Sequence, residues 1–198
     1  TSSLWISEGL TTYGADLVVA RAGLCNTTEF LSLLSGNITS LQNSPGRLKQ
    51  TLAQASLDVW TSGTSGVGRD TQNLVSYYVK GPVVGFLLDA KIQRATAGKK
   101  SLDDVMRLAY KRYGGKRGFT PEQFRRAAEE VAGIDLREAF RQWLDSTEEL
   151  DYTKALDWFG LRFAEDAQPA KAWQLAVRAD ASAQQKSRLQ KWLGQPNS

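Results

Sequence analysis

Histidine is missing altogether from these 198 residues. That absence rules out a Ser-His-Asp triad and any zinc site built on two histidines of this chain alone. Cysteine occurs once, at Cys25, so there is no internal disulfide framework and no cysteine-rich zinc cluster. Long apolar runs are also lacking. The longest, Val83 to Leu88 with Gly85 inside it, is far too short to cross a bilayer. The N-terminus shows no basic region followed by an apolar run, so no signal peptide is read there. It starts abruptly inside a hydrophobic pattern, which predicts a piece of a longer protein. Charge of one sign is in small excess only, with a net charge of +4 and a pI of about 9.2. That balance does not by itself point to nucleic acid. The basic cluster Lys111, Arg112, Lys116 and Arg117 around Gly114-Gly115 reads as a solvated loop, because Tyr113 alone is no stacking platform.

The composition that is present, 41% hydrophobic and 23% charged residues, is ordinary for a globular domain. The length suffices for one good-sized core or two small ones. The chain reads as a succession of punctuated helices. Leu10, Tyr13, Leu17, Ala20 and Leu24 form one apolar stripe at helical spacing, closed by Gly23 as a left-handed stop with Leu24 folding back as its hydrophobic contact. Asn26 to Glu29 reads as a capping box opening a helix through Leu41, which Ser44-Pro45-Gly46 breaks. Asn26 and Asn37 fit the glycosylation pattern but serve better as turn or helix residues. A helix over Leu48 to Trp60 leads into the loop "TSGTSGVGRDTQN", rich in Gly, Ser and Thr and read as mobile or functional. A longer helix spans about Leu74 to Ala97 up to Gly98, with Gly81-Pro82 as a kink or a new start. Further helices open at Ser101, at Thr120-Pro121, at Asp135 and at Asp151, and stop near Gly114, Gly133, Trp143 and Gly160. "LRF" and "AWQLAV" read as two short strands. Ser182 with Gln185 caps a last helix through Leu193. No repeat and no alternating strand–helix rhythm is present.

One residue does not fit its stripe. Followed back a turn from Leu10, the buried side of the first helix reaches Ile6 and Glu8. A carboxylate there needs a partner, because burying a bare charge is very costly.

The segment "LWISEGLTTYGADLVVARAGL" resembles the part of the glycyl-aminopeptidase family that carries the third zinc ligand. These are PDZ-containing zinc metallopeptidases of the gluzincin clan, related to thermolysin and the aminopeptidase N family. The resemblance implies Glu8 as a zinc ligand, with the other two ligands on an H-E-x-x-H helix that this chain does not contain. Thr11 and Thr12 are candidates for supporting that ligand. "SYYVKG" is similar to the clan's tyrosine before x-Lys-Gly, which implies Tyr78, 70 residues after Glu8, as the phenol that donates to the oxyanion. Tyr77 is its neighbour and could be confused with it, while Lys80 reads as structural or as a surface charge. "GRLKQTLAQASLDVW", "TAGKKSLDDVMR" and "LDYTKALDWFGL" also resemble the family in the same order.

The reading that follows is a mainly α fold. It is the helical C-terminal subdomain of a thermolysin-like (gluzincin) metallopeptidase, with a small β element near the C-terminus. Residues 1–161 form the helical subdomain. Residues 162–198 form a C-terminal segment of short strands and a final helix, with no room for a PDZ domain between Arg162 and Lys171. The implied parent is a zinc aminopeptidase acting on peptides with small N-terminal residues such as Gly or Ala. This chain alone is expected to be inactive and to bind no zinc tightly. Its expected partners are peptide substrate and the missing upstream half, with no nucleic acid and no membrane span. The compartment stays open between bacterial cytoplasm and periplasm. Without the upstream half, an apolar wall lined by Leu4 and Trp5 is expected beside Glu8, with self-association or fraying at residues 1–8. The rival reading is a non-catalytic helical binding or scaffold domain, for which the lack of histidine is the best argument.

Overall fold

The computed structural model describes residues 1–59, 72–165 and 172–195. The loop read as mobile or functional lies almost wholly outside them. Helix α1 (Thr11–Arg21) continues without a break from a π-helical stretch over Trp5–Leu10. It is followed by α2 (Thr27–Gln42), a 3-10 turn (Pro45–Leu48), α3 (Leu52–Asp58), α4 (Tyr77–Ala95), α5 (Leu102–Tyr113) and α6 (Pro121–Ala132). After α7 (Arg137–Phe140) a second π-helical stretch covers Arg141–Asp145. Then come α8 (Thr153–Phe159), strands β1 (Leu161–Phe163) and β2 (Leu175–Val177), and α9 (Ala183–Trp192). The mainly helical architecture with one small sheet is the one read from the sequence.

Caps explain the boundaries. Asn26, Thr51, Thr120 and Ser182 each accept from the backbone N–H three residues on, and the Glu or Gln there reaches back. The capping box at Thr51 and Gln54 is why α3 starts at Leu52, later than the Leu48 read from periodicity alone. Likewise Ser76 caps α4, so that helix starts at Tyr77 instead of Leu74. Gly23, Gly98, Gly133 and Gly160 all adopt positive φ at helix ends. At Gly23 the backbone motif is present, with Leu24 N–H bonded to Val19 O at 3.1 Å. The hydrophobic contact expected there is not: Leu24 is 77% exposed.

Helix α4 is the axle. It is buried over most of its length and packs against the π-helical stretch, α1, α2, α3, α5, α6 and α8. The β1–β2 hairpin is antiparallel, with Arg162 opposite Ala176. Its outer edge is covered from α2, where Ser35 Oγ and Thr39 Oγ1 accept the N–H groups of Leu175 and Trp173, both at 2.8 Å. The C-terminal helix drives Trp192 into the core, stacked on Phe159 at 4.2 Å and edge-on to Phe30 at 5.1 Å.

Two expectations about surface are corrected. Trp5 is 1% exposed, enclosed by Phe124 and Phe140 at 6.0 Å each, and its backbone N–H donates to Ser56 Oγ. Leu4 is partly buried against the same core. No apolar wall of Leu4 and Trp5 therefore faces outward. Among the described residues the exposed large apolar side chains include Tyr78 beside Glu8 and Leu57 next to Ser56, with Val18, Val19, Leu24 and Leu33 further along the chain's first two helices and their link. Lys80, read as structural or as a surface charge, is 2% exposed and so is not on the surface.

Candidate active site

Glu8 and Tyr78 meet. The phenol of Tyr78 donates to Glu8 Oε2 at 2.6 Å across 70 residues of chain. This is closer than two groups flanking a common ligand need to be. Each side chain sits on the first turns of its element, Glu8 on the π-helical stretch and Tyr78 just after the Ser76 cap of α4. π-helical turns are rare and occur frequently at functional sites.

Two glycines make the meeting possible. A Cβ on Gly9 would lie 2.7 Å from Gly81 Cα and 2.8 Å from Tyr77 O. A Cβ on Gly81 would lie 2.7 Å from Gly9 Cα and 3.2 Å from Trp5 O. Backbone therefore touches backbone, and the turns that carry Glu8 and Tyr78 are drawn together. The Glu-Gly and Lys-Gly pairs in the sequence are two halves of one contact. Gly81→Ala is expected to cost about 1–3 kcal/mol by overpacking and to part Tyr78 from Glu8. Gly14, whose added Cβ would meet nothing within 4 Å, provides the contrast: Gly14→Ala should gain up to about 1 kcal/mol from helix propensity. Denaturant midpoints of the two variants test the pair.

The electrostatics are those of a phenol bonded to a carboxylate. The hydrogen bond to Glu8 is the main cause that pushes the Tyr78 phenol up to about 12, with desolvation and the Glu8 charge adding to it. Tyr78 thus keeps its proton at any physiological pH. Tyr77, buried with its ring 4.8 Å from that of Tyr78, is also raised, first by burial and then by Glu8. Glu8 forms no ion pair among the described residues, so its carboxylate answers to a phenol and to no cation. Thr11 and Thr12 support Glu8 from the main chain. Thr12 Oγ1 donates to Glu8 O at 2.7 Å, and Thr11 Oγ1 lies 2.8 Å from Ser7 O and 2.9 Å from Glu8 O. They touch the carbonyl, not the carboxylate.

As a metal site the arrangement is partial. A carboxylate is a fit zinc donor, and Glu8 has an oxygen left over beside the one that Tyr78 occupies. Among the described residues, however, no three His, Cys, Asp or Glu side chains converge. The basic cluster serves structure: Arg112 pairs with Glu130 at 2.7 Å, and Arg117 donates to the carbonyls of Gly114 and Lys111.

Sequence reasoning missed two features around this pair. One is the glycine contact itself, for which the repeated placement of Gly one residue after Glu8 and one after Lys80 was the available signal. The other is Asp89, a lone carboxylate in the apolar run "VVGFLLDAKI", which is 1% exposed.

Known proteins place this geometry in context. The profile of the M61 glycyl aminopeptidase family matches residues 1–84, the stretch that holds both Glu8 and Tyr78. No curated protein matches the chain. Among solved structures, a crystal structure of an aminopeptidase N family protein from Idiomarina loihiensis superposes with a TM-score of 0.77 at 24% identity, over 83% of this chain. That likeness is one of fold. The chain spans 28% of that protein's length, and no helix of the described residues is long and apolar enough to cross a membrane.

Proposed function

We propose that this chain is the helical part of a zinc-dependent aminopeptidase, in which Glu8 is one of three metal ligands and Tyr78 is the oxyanion donor. The observation that carries the reading is the 2.6 Å hydrogen bond between these two side chains. Both lie within the residues that match the M61 family. The other two ligands, two histidines of an H-E-x-x-H helix, must come from outside these residues, which contain no histidine. Bound there, zinc would supply Lewis acidity and an activated water. The part played by this chain is to present one carboxylate and one protonated phenol on the same side of the Gly9–Gly81 contact. A phenol is a neutral hydrogen-bond donor, which suits stabilisation of a developing negative charge. The substrate class is peptides with small N-terminal residues such as Gly or Ala.

The test is hydrolysis of glycyl and alanyl p-nitroanilides by the complete gene product. Activity that chelation removes and zinc restores is expected. No hydrolysis by the zinc-treated protein, or an upstream sequence without H-E-x-x-H, would favour the scaffold reading instead. The chain by itself offers a separate check. One carboxylate is not a site, so calorimetry on residues 1–198 should show no tight one-to-one zinc binding. A sub-micromolar site at one equivalent would remove Glu8 from a three-ligand set shared with another segment.

A further inference from the structure

Asp89 lies in the middle of α4, the most buried helix of the fold, and no cation pairs with it among the described residues. Burying an unpaired charge is tolerated only where hydrogen bonds compensate. Here four neutral donors do so, two on each oxygen. The Gln93 amide and the Leu102 N–H reach Oδ1 at 3.1 and 2.9 Å. The Tyr13 hydroxyl and the Trp192 indole N–H reach Oδ2 at 2.7 and 3.1 Å. The donors come from α1, α4, the start of α5 and α9, so a single carboxylate joins four elements. Burial raises both the carboxyl of Asp89 and the phenol of Tyr13.

We propose that Asp89 is a positioning residue for the Glu8–Tyr78 pair: through Tyr13 it pins α1 lengthwise against α4. The use made of that pair rests on the function proposed above, whereas the pinning is a property of this chain alone. The contact between the two helices begins at Gly9 and Gly81. It runs on through Gly85, where an added Cβ would lie 3.1–3.2 Å from the Tyr13 side chain, and ends at the Tyr13–Asp89 bond. The glycine surfaces set how closely the helices approach, but two bare backbones offer little resistance to sliding. A slide stretches or tilts this 2.6 Å hydrogen bond, and about 1 Å along the bond direction takes it out of range. The Tyr13–Asp89 bond is the directional contact that opposes it. Trp192 secures that bond from the far side, since its indole N–H lies 3.1 Å from both Tyr13 Oη and Asp89 Oδ2. Its carbonyl in turn accepts from Arg21 Nε at the end of α1, at 3.0 Å. The C-terminal helix thereby bears on the helix that carries Glu8.

The test reads the pair directly in this chain. The 13Cζ resonance of Tyr78, assigned by its loss in Tyr78→Phe, is compared with its position in Glu8→Gln, where the charged acceptor is gone. Tyr13→Phe and, separately, Asp89→Asn should each move the Tyr78 resonance at least half of the way to the Glu8→Gln position. Val105→Ala is the control: a buried deletion on α5 that weakens the core and removes no side chain of the Tyr13–Asp89–Trp192 cluster. It should leave the resonance in place. The proposal is overturned if Tyr78 does not move in whichever of the first two variants folds, if neither folds, or if Val105→Ala moves it as far. Absence of peptidase activity in the complete protein would sink the proposed function and leave this result standing.

Discussion

Tyr78→Phe in the complete, zinc-loaded protein is expected to lower kcat by about 10²–10³-fold, the typical cost of one oxyanion donor. KM should change little, because the proposed interaction is made in the transition state and not with bound substrate. The fold has little reason to suffer. Tyr78 is 37% exposed, its hydroxyl bonds only Glu8 among the described residues, and the ring is retained in Phe. Tyr77→Phe is the matched control. Its ring packs 4.8 Å from that of Tyr78, yet it makes no hydrogen bond to Glu8, so a loss of more than a few-fold there would mean that the two tyrosines have been assigned the wrong way round. Steady-state kinetics on an alanyl substrate separates the outcomes. A Tyr78→Phe enzyme within about five-fold of the parent would end the donor role and return Tyr78 to packing.

Lys80→Met should stabilise the chain by up to about 3 kcal/mol at pH 7, an unusual direction for a core substitution. Lys80 is 2% exposed and has no hydrogen bond or ion pair among the described residues. Glu149, the acid whose charge it feels, is already engaged by Arg47 at 2.7 Å. Burial therefore lowers its ammonium from 10.5 to about 8, against a smaller upward pull from Glu149. The sign follows from linkage. A lysine depressed in the folded state holds fewer protons folded than unfolded between about 8 and 10.5. Stability must rise with pH across that window, and below it the full cost of the buried charge is present. Each tenfold loss of proton affinity is worth about 1.4 kcal/mol, so the fall from 10.5 to about 8 costs about 3 kcal/mol. Methionine, of similar length and uncharged, does not incur that cost. The advantage of Lys80→Met should shrink between pH 8 and 10.5 as the native lysine loses its proton. At high pH the raised tyrosines Tyr13, Tyr77, Tyr78 and Tyr152 pull the other way, so the comparison is between variants at each pH. Urea unfolding at about pH 7, 8 and 9.5 decides it. An advantage that does not change over those pH values would show that packing, not charge, drives the difference.

Much of the local architecture was legible in the sequence because its causes are local. Asn26 with Glu29, Thr120 with Gln123, Ser182 with Gln185 and the glycines at 98, 133 and 160 act within one helical turn, and their side chains close the caps that their spacing promises. Glu8 and Tyr78 could be singled out for a related reason: each stands in a short motif whose residues are neighbours in the chain. Periodicity was weaker evidence than capping. It continued α3 and α4 backwards over Leu48 and Leu74, where Thr51 and Ser76 begin the helices instead.

What only the tertiary structure decided depends on residues far apart in the chain. That Gly9 and Gly81 touch, that Tyr78 donates to Glu8 at 2.6 Å, and that Asp89 gathers donors from four elements follow from how α1, α4, α5 and α9 cross. The same holds for burial. Trp5 is covered by Phe124 and Phe140, more than a hundred residues away, while Leu24 stands in water at the end of an apolar stripe. Lys80 is charged in composition and buried in fact. Spacing along a helix says which side chains share a face. Whether that face meets core, water or another backbone is settled by packing, because only the assembled elements determine how close two surfaces can come.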